Sequence, residues 1–374
     1  MVVSKIAIAL MAFAAVAVPA AQTAPASKGL QIYVVDTEGG KAALFLSPSG
    51  QTVLVDSGSP GGRDTDRIMA AIEDAGVKQL DYLVSTHYHV DHIGGLQELV
   101  KRIPVGTFVD HGPSVEQREQ VQDFQAAYAE LYGKAKHLVV KPGDKIPLTG
   151  IDWRIVTAAG QALKTPLTGG GKPNPECASF TPKDITTDPE NAQSVGSVVT
   201  FGQFRTIDLG DLLWNKEQEL MCPNNPIGTV DLYMVSHHGT DASGSQQLVH
   251  ALQPRVAVMQ NGTRKGAGAQ AMPTMRTSPG LEDIWQLHWS YGAGIEQNSA
   301  GVFIANVDDA ATIAGVLTAR STGQPLPGGG RGGETLPHTP AYWIKVVAQR
   351  DGSFIVSNSR NGFSKSYAAR VRAR

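Results

Sequence analysis

The densest concentration of reactive side chains is His87-Tyr88-His89-Val90-Asp91-His92, which gathers three of the ten histidines and a carboxylate into six residues. Neutral imidazole and carboxylate are lone-pair donors suited to zinc and its neighbours in the first transition row. Alternate residues of an extended segment share a face, so His87 and His89 can point into one pocket. Asp91 and His92, at the start of the next helix, can face a second cation beside the first. A solvated polar loop with chance histidines is the bland alternative, and the clustering argues against it. Two other stretches offer matching groups. Ile207-Asp208-Leu209-Gly210-Asp211 ends a strand on Asp211, and Val235-Ser236-His237-His238-Gly239-Thr240 ends another on paired histidines. Alone, Asp211 is as easily a turn or helix cap, and either histidine singly is as easily a buried structural one.

These groups require strands that deliver them. β-Branched runs bounded by turn residues predict strands over 31–36, 42–47 and 52–56. Ile68, Ala71 and Ile72 at helical spacing predict a helix over 63–75 that stops at Gly76. A strand over 80–85 precedes the histidine cluster, and a helix over about 93–102 leads into a strand over 105–109, which is a crossover unit. A long helix over 114–132 follows, then strands over 137–140 and 151–158. A hairpin of 197–201 and 204–209 turns at Gly202-Gln203. Strands over 230–235 and 256–259 flank a further helix, and the last strands fall at 342–347 and 354–356. Segments 167–191 and 323–337 are rich in Gly and Pro; the first reads as a surface loop that either overhangs the site or is an inert insertion.

Strand groups alternating with helices, with no internal repeat, predict an α/β fold of one domain over residues 27–374. Residues 1–26 differ in character. Lys5, an apolar run over 6–18 and small residues through Ala21 form a secretory signal peptide, since the run is shorter than the roughly 20 residues that span a bilayer. The expected location is periplasmic or secreted, with no membrane association. Cys177 and Cys222 are the only cysteines, and in an oxidising compartment they either bridge or remain separate thiols. The 32 Lys and Arg against 34 Asp and Glu give a net charge of −2, which disfavours nucleic acid as the main partner and favours a small-molecule substrate. Lys101-Arg102, Arg264-Lys265 and the Arg370, Arg372, Arg374 tail read as solvated surface charge.

The HxHxDH string followed by Gly94-Gly95 resembles the metal-binding signature of the metallo-β-lactamase superfamily. That resemblance implies a four-layer αββα sandwich with two metals at one sheet edge. Val55-Asp56-Ser57-Gly58 looks like the superfamily turn whose Asp supports the site without binding metal, and the GD element implies Asp211 as the bridging carboxylate. The HHG(T) element, with Asn191 and Ser194 in an NxxS pattern, is similar to the hydrolase domain of ComEC-type competence proteins. It implies that one of His237 and His238 binds metal and the other meets substrate, without saying which. Two departures stand out. Asn261-Gly262-Thr263-Arg264-Lys265-Gly266 lacks the histidine of that subgroup's Gly-His-Pro element, and the long loop ahead of Asp211 contains no histidine to complete the first metal's set. His111, at the end of a strand, is the candidate for the second vacancy, against a supporting or surface role.

The implied ligands are therefore His87, His89, Asp91, His92, Asp211, His237 and His238, for two Zn2+ ions, with Mn2+ or iron also accepted by such a set. The expected chemistry is hydrolysis by a metal-activated water. Asp91 would orient that water, and His237 or His238 would assist the leaving group. A phosphoric ester or phosphodiester is the first substrate class; a cyclic amide or ester, such as a β-lactam or lactone, is the second.

Overall fold

The computed structural model describes residues 29–184, 188–291, 294–324 and 341–370. The signal-peptide reading and residues 325–337 of the second Gly/Pro-rich segment lie outside them. Two nine-stranded sheets form the middle of the molecule. The first contains β1 (Leu30–Val34), β2 (Ala43–Leu46), β3 (Thr52–Val55), β4 (Leu80–Val84), β5 (Val105–Asp110) and β6 (Lys136–Val139) in chain order. The strands Ile344–Ala348, Phe354–Asn358 and Ser364–Tyr367 are added beside β1. β3 to β6 run parallel and the rest antiparallel. The second sheet runs Ile304–Asn306, Asp283–His288, Val256–Met259, Leu232–Met234, Phe204–Asp208, Gly196–Phe201, Asp152–Ala158, Lys145–Ile146, with the short strand Gln161–Ala162 also paired to Asp152–Ala158. Its first five strands are parallel.

Period-two alternation explains the layering. Ile32 and Val34 enter the core between the sheets, with Trp153, Ile155 and Val199, whereas Tyr33 and Leu44 face the other way, toward Ile68, Ile72 and Leu99. In the second sheet Val199 turns inward while Val198 packs outward against Leu220, Leu248 and Met272. Both faces of each sheet are thus apolar, and helices cover the outer ones: Arg63–Asp74 and Glu119–Tyr132 on the first, Trp214–Met221, Gln246–Leu252 and Ala271–Arg276 on the second. The result is the four-layer αββα sandwich. Phe45 and Trp153 join the two sheets edge to face at 4.9 Å, a geometry that adds about 0.5–1.5 kcal/mol beyond buried area.

Three local differences from the sequence expectation bear on the site. The helix expected over 93–102 is two single turns, Val90–Ile93 and Leu96–Leu99. Gly94 and Gly95 between them let the Asp56 turn approach closely: a Cβ on Gly94 would lie 2.4 Å from Pro60 Cδ, and one on Gly95 2.3 Å from the Ser57 carbonyl. The helix expected from 114 starts at Glu119, because residues 114–116 are held by other contacts: Ser114 Oγ and Val115 N donate to Glu190 Oε2 (2.6 and 3.2 Å). The 167–191 loop is fastened, since Cys177 and Cys222 are disulfide-bonded and tie it to the end of helix Trp214–Met221.

Candidate metal centre

Every group singled out in the sequence follows the C-terminal end of a parallel strand: Asp56 after β3, His87 after β4, His111 after β5, Asp211 after Phe204–Asp208, and His237 after Leu232–Met234. Parallel strands send their chain into crossover loops at that end, so loops from both sheets meet there.

Asp91, His92, Asp211 and His238 offer ligand atoms that all lie within 4.8 Å of one another. His92 Nε2 is 3.3 Å from Asp211 Oδ2 and 3.5 Å from Asp91 Oδ2; His238 Nε2 is 3.2 and 3.3 Å from the same oxygens. The opposite ring nitrogens are committed elsewhere. His92 Nδ1 donates to Asp56 Oδ2 (2.8 Å) and His238 Nδ1 donates to the Gln260 carbonyl (3.0 Å). Each ring therefore presents its Nε2 inward, the arrangement a metal ligand needs. The sequence left open which of the paired histidines joins such a group, and His238 occupies that position.

Asp56 supports two of the histidines. Its carboxylate accepts from Thr86 N and Thr86 Oγ1 (2.8 Å each). Thr86 Oγ1, its hydrogen used, can act only as an acceptor toward His87 Nδ1, 3.1 Å away, and it also lies 3.3 Å from His92 Nδ1. That leaves His87 Nε2 as a lone pair, fully buried and with no hydrogen-bond partner among the described residues; Asp211 Oδ1 is in the same condition. Two orphaned acceptors in a dry pocket, beside four convergent ligand atoms, fit divalent cations.

The electrostatics agree. Burial, helped by His92 and His89, holds His87 well below the ordinary imidazole value, so it is neutral. Burial opposes the charge on Asp91 and Asp211, but Lys265 and His92 around the first, and His238 and His92 around the second, keep both well below the usual carboxylate range. His92 is raised, because Asp211, Asp91 and Asp56 overcome its burial. In this arrangement protons and the Lys265 ammonium, 2.6 Å from Asp91 Oδ2, balance the carboxylates.

Three candidates sit elsewhere. His89 stacks edge-on to His87 at 4.7 Å, but its Nε2 meets Glu116 Oε2 (3.1 Å) and Arg118 Nη2 (3.0 Å). His237 stands at the cleft wall, Nδ1 3.2 Å from Ser243 Oγ and Nε2 3.5 Å from Asp211 Oδ2. Burial, His238 and Lys265 bring it down to about 4. In this arrangement its imidazole is neutral. His111 is not in the centre: its Nε2 donates to Glu190 Oε1 (2.8 Å), a carboxylate that also accepts from Tyr88 N (3.2 Å). His237 (φ 51°), His238 (φ 57°) and Asp56 (φ 61°) all adopt left-handed backbone, a strained state for histidine that clusters at functional sites.

Sequence reasoning missed Glu190, Glu116, Thr86 and Lys265. Only Lys265, which stands near the missing Gly-His-Pro histidine, carried a signal. A second group, Asp36, Glu38 and His288, already holds a cation: Arg67 Nη1 is 2.8 Å from Asp36 Oδ2 and 3.1 Å from Glu38 Oε1.

Residues 36–174 match the family model described as the metallo-beta-lactamase superfamily. The ComE operon protein 3 of Bacillus subtilis (strain 168) is 28% identical over 189 residues, covering 50% of this chain and 20% of that protein. The hydroxyacylglutathione hydrolase of Klebsiella pneumoniae is 29% identical over 115 residues, 31% of this chain and 37% of the enzyme. Recombination protein 2 of Haemophilus influenzae is 23% identical over 235 residues, 62% and 24% of the two chains. This chain thus spans from 20% to 37% of the length of these relatives. The matched segment, residues 36–174, carries His87 to His92 on the fold expected for it, and it is a metallo-β-lactamase superfamily domain within this chain.

Proposed function

We propose that the chain is an exported hydrolase of phosphoric esters, with phosphodiesters as its main substrate class, working with two divalent cations, zinc first among them. The observation that carries the substrate class is the charge of the cleft mouth. The cleft, about 200 Å³ in volume, is walled by His89, Asp91, Asp211 and His237, and it carries Lys265 and Arg118. Arg118 also pairs with Glu116 and with Asp188 of the same wall, so Lys265, paired with Asp91, is the cationic group best placed to meet an anionic group of the substrate.

His87, Asp91, His92, Asp211 and His238 would hold the cations, which would supply Lewis-acid activation of water and charge neutralisation at phosphorus. Asp56 and the Gln260 carbonyl keep His92 and His238 turned inward. Lys265 leaves Asp91 to pair with a phosphate oxygen, and the neutral Nε2 of His237 accepts a proton at the cleft wall. Export is supported by the leader pattern of residues 1–26 and by the Cys177–Cys222 bond, which persists in oxidising compartments. The hydroxyacylglutathione hydrolase relative favours acyl chemistry instead, so the decisive measurement compares the two. Protein reconstituted with Zn2+ or Mn2+ is offered bis-p-nitrophenyl phosphate, nitrocefin and an acyl-homoserine lactone. Phosphodiester turnover is expected to dominate, to vanish in Asp211→Ala with the fold retained, and to show a KM raised about tenfold in Lys265→Ala. Ring opening without phosphodiester turnover would reverse the assignment.

A further inference from the structure

His87 Nε2 and Asp211 Oδ1 are not the only buried acceptors at this centre without a donor. Asn191 is 2% exposed, and its Oδ1 has no hydrogen-bond partner among the described residues. The turn Asn191–Gln193 is pinned to the histidine loop from both sides. On one side the preceding residue, Glu190, accepts from Tyr88 N (3.2 Å), between His87 and His89; on the other, Val195 N donates to the Thr86 carbonyl (2.9 Å). Ser194 Oγ accepts from Asp211 N (3.2 Å), and Asn191 lines the same cleft as His89, Asp91 and Asp211. The turn therefore stands between the His87 loop and Asp211, the two elements that carry the other orphaned atoms. The histidine that might have served there, His111, is committed to Glu190.

We propose that Asn191 Oδ1 is a metal ligand, which with His87 Nε2 and Asp211 Oδ1 completes the position for the first cation. This rests on the two-cation reading above. An amide oxygen is a neutral, harder and weaker donor than imidazole, so the position gains tolerance for Mn2+ and loses affinity for zinc. The cation held by Asp91, His92, Asp211 and His238 is the tighter of the two. The chain consequently fills in two separate steps.

The test is metal binding by the intact chain, stripped with chelator and titrated with Zn2+ and with Mn2+, followed by calorimetry and elemental analysis. Wild type takes up two cations stepwise. Asn191→Ala keeps the tight cation and binds the weak one at least about tenfold less well, with an unchanged melting temperature when metal-free. Asn191→Asp, nearly isosteric, binds the weak cation more tightly because its oxygen is charged. His111→Ala leaves the stoichiometry at two. Two cations bound with unaltered affinity in Asn191→Ala would overturn the assignment. Should that variant not fold, unaltered affinity in Asn191→Asp overturns it equally. A wild type that takes up one cation or none defeats the two-cation reading itself, a distinct result.

Discussion

At the scale of single residues, the centre is set by which nitrogen of each imidazole is already occupied. Thr86 shows the economy of this arrangement: its hydroxyl donates to Asp56 and accepts from His87, so one side chain orients one histidine directly and steadies the carboxylate that orients another. Thr86→Val preserves shape and removes both bonds. We expect metal affinity about 10- to 100-fold lower and a stability cost of about 1–3 kcal/mol from the buried His87 Nδ1–H left without an acceptor. Competition against a chromophoric chelator and urea titration measure the two effects. Unchanged zinc affinity would show that His87 does not depend on this tautomer.

At the scale of elements, the parallel strand ends bring five loops to one place, and the long 167–191 loop is bound to the structure around them. Its Asn174 side chain donates to the Met221 and Gln247 carbonyls (3.2 and 2.9 Å), next to the Cys177–Cys222 bond. With the cysteines 45 positions apart in the chain, a loop of this size contributes about 2–4 kcal/mol by restricting the unfolded chain. The double substitution Cys177→Ser, Cys222→Ser should lose that amount in urea unfolding and expose the 167–184 segment to limited proteolysis. It should leave metal stoichiometry intact, because Asn191, at the far end of this loop, is held beside the histidine loop by the Glu190 and Val195 contacts and not by the disulfide. A proteolysis pattern identical to wild type would mean that the Asn174 contacts hold the loop alone.

At the scale of the whole molecule, one buried carboxylate outside the centre has a consequence for stability. Glu217, fully buried, accepts from Gly244 N (2.8 Å) and Ser245 N (2.7 Å), but burial outweighs these bonds and pushes its carboxyl up to about 7 from 4.5. The folded state then holds a proton that the unfolded chain has released between about pH 4.5 and 7, so stability falls as pH rises through that window. The difference amounts to about 3 kcal/mol at most. Urea midpoints of metal-free protein at pH 5 and pH 7.5 should show this fall in wild type. In Glu217→Gln the fall should shrink, even though the amide is less well matched to two N–H donors. An equal pH slope in the two proteins would place Glu217 outside the balance.

The amino-acid sequence alone determined the alternation of strands and helices and the cluster of metal-ligating groups, while the four layers were what the family resemblance implied. Period-two strands buried on both faces, helices between them and a six-residue cluster of lone-pair donors are local patterns, legible because side-chain spacing dictates which face is apolar and which groups share a loop. His87, Asp91, His92 and the 237–238 pair were readable this way, and Asp56 and the bridging role of Asp211 only through the family resemblance. The strands Asp283–His288, Ile304–Asn306 and Ser364–Tyr367 were not. Tertiary structure alone decided that His238 and not His237 joins the inner group, that His89 meets Glu116, and that His111 is taken by Glu190. It also left Asn191 with a buried, unused oxygen. Each outcome depends on a partner at least 22 residues away in the chain, and no local spacing encodes which lone pair a distant carbonyl or carboxylate will leave free.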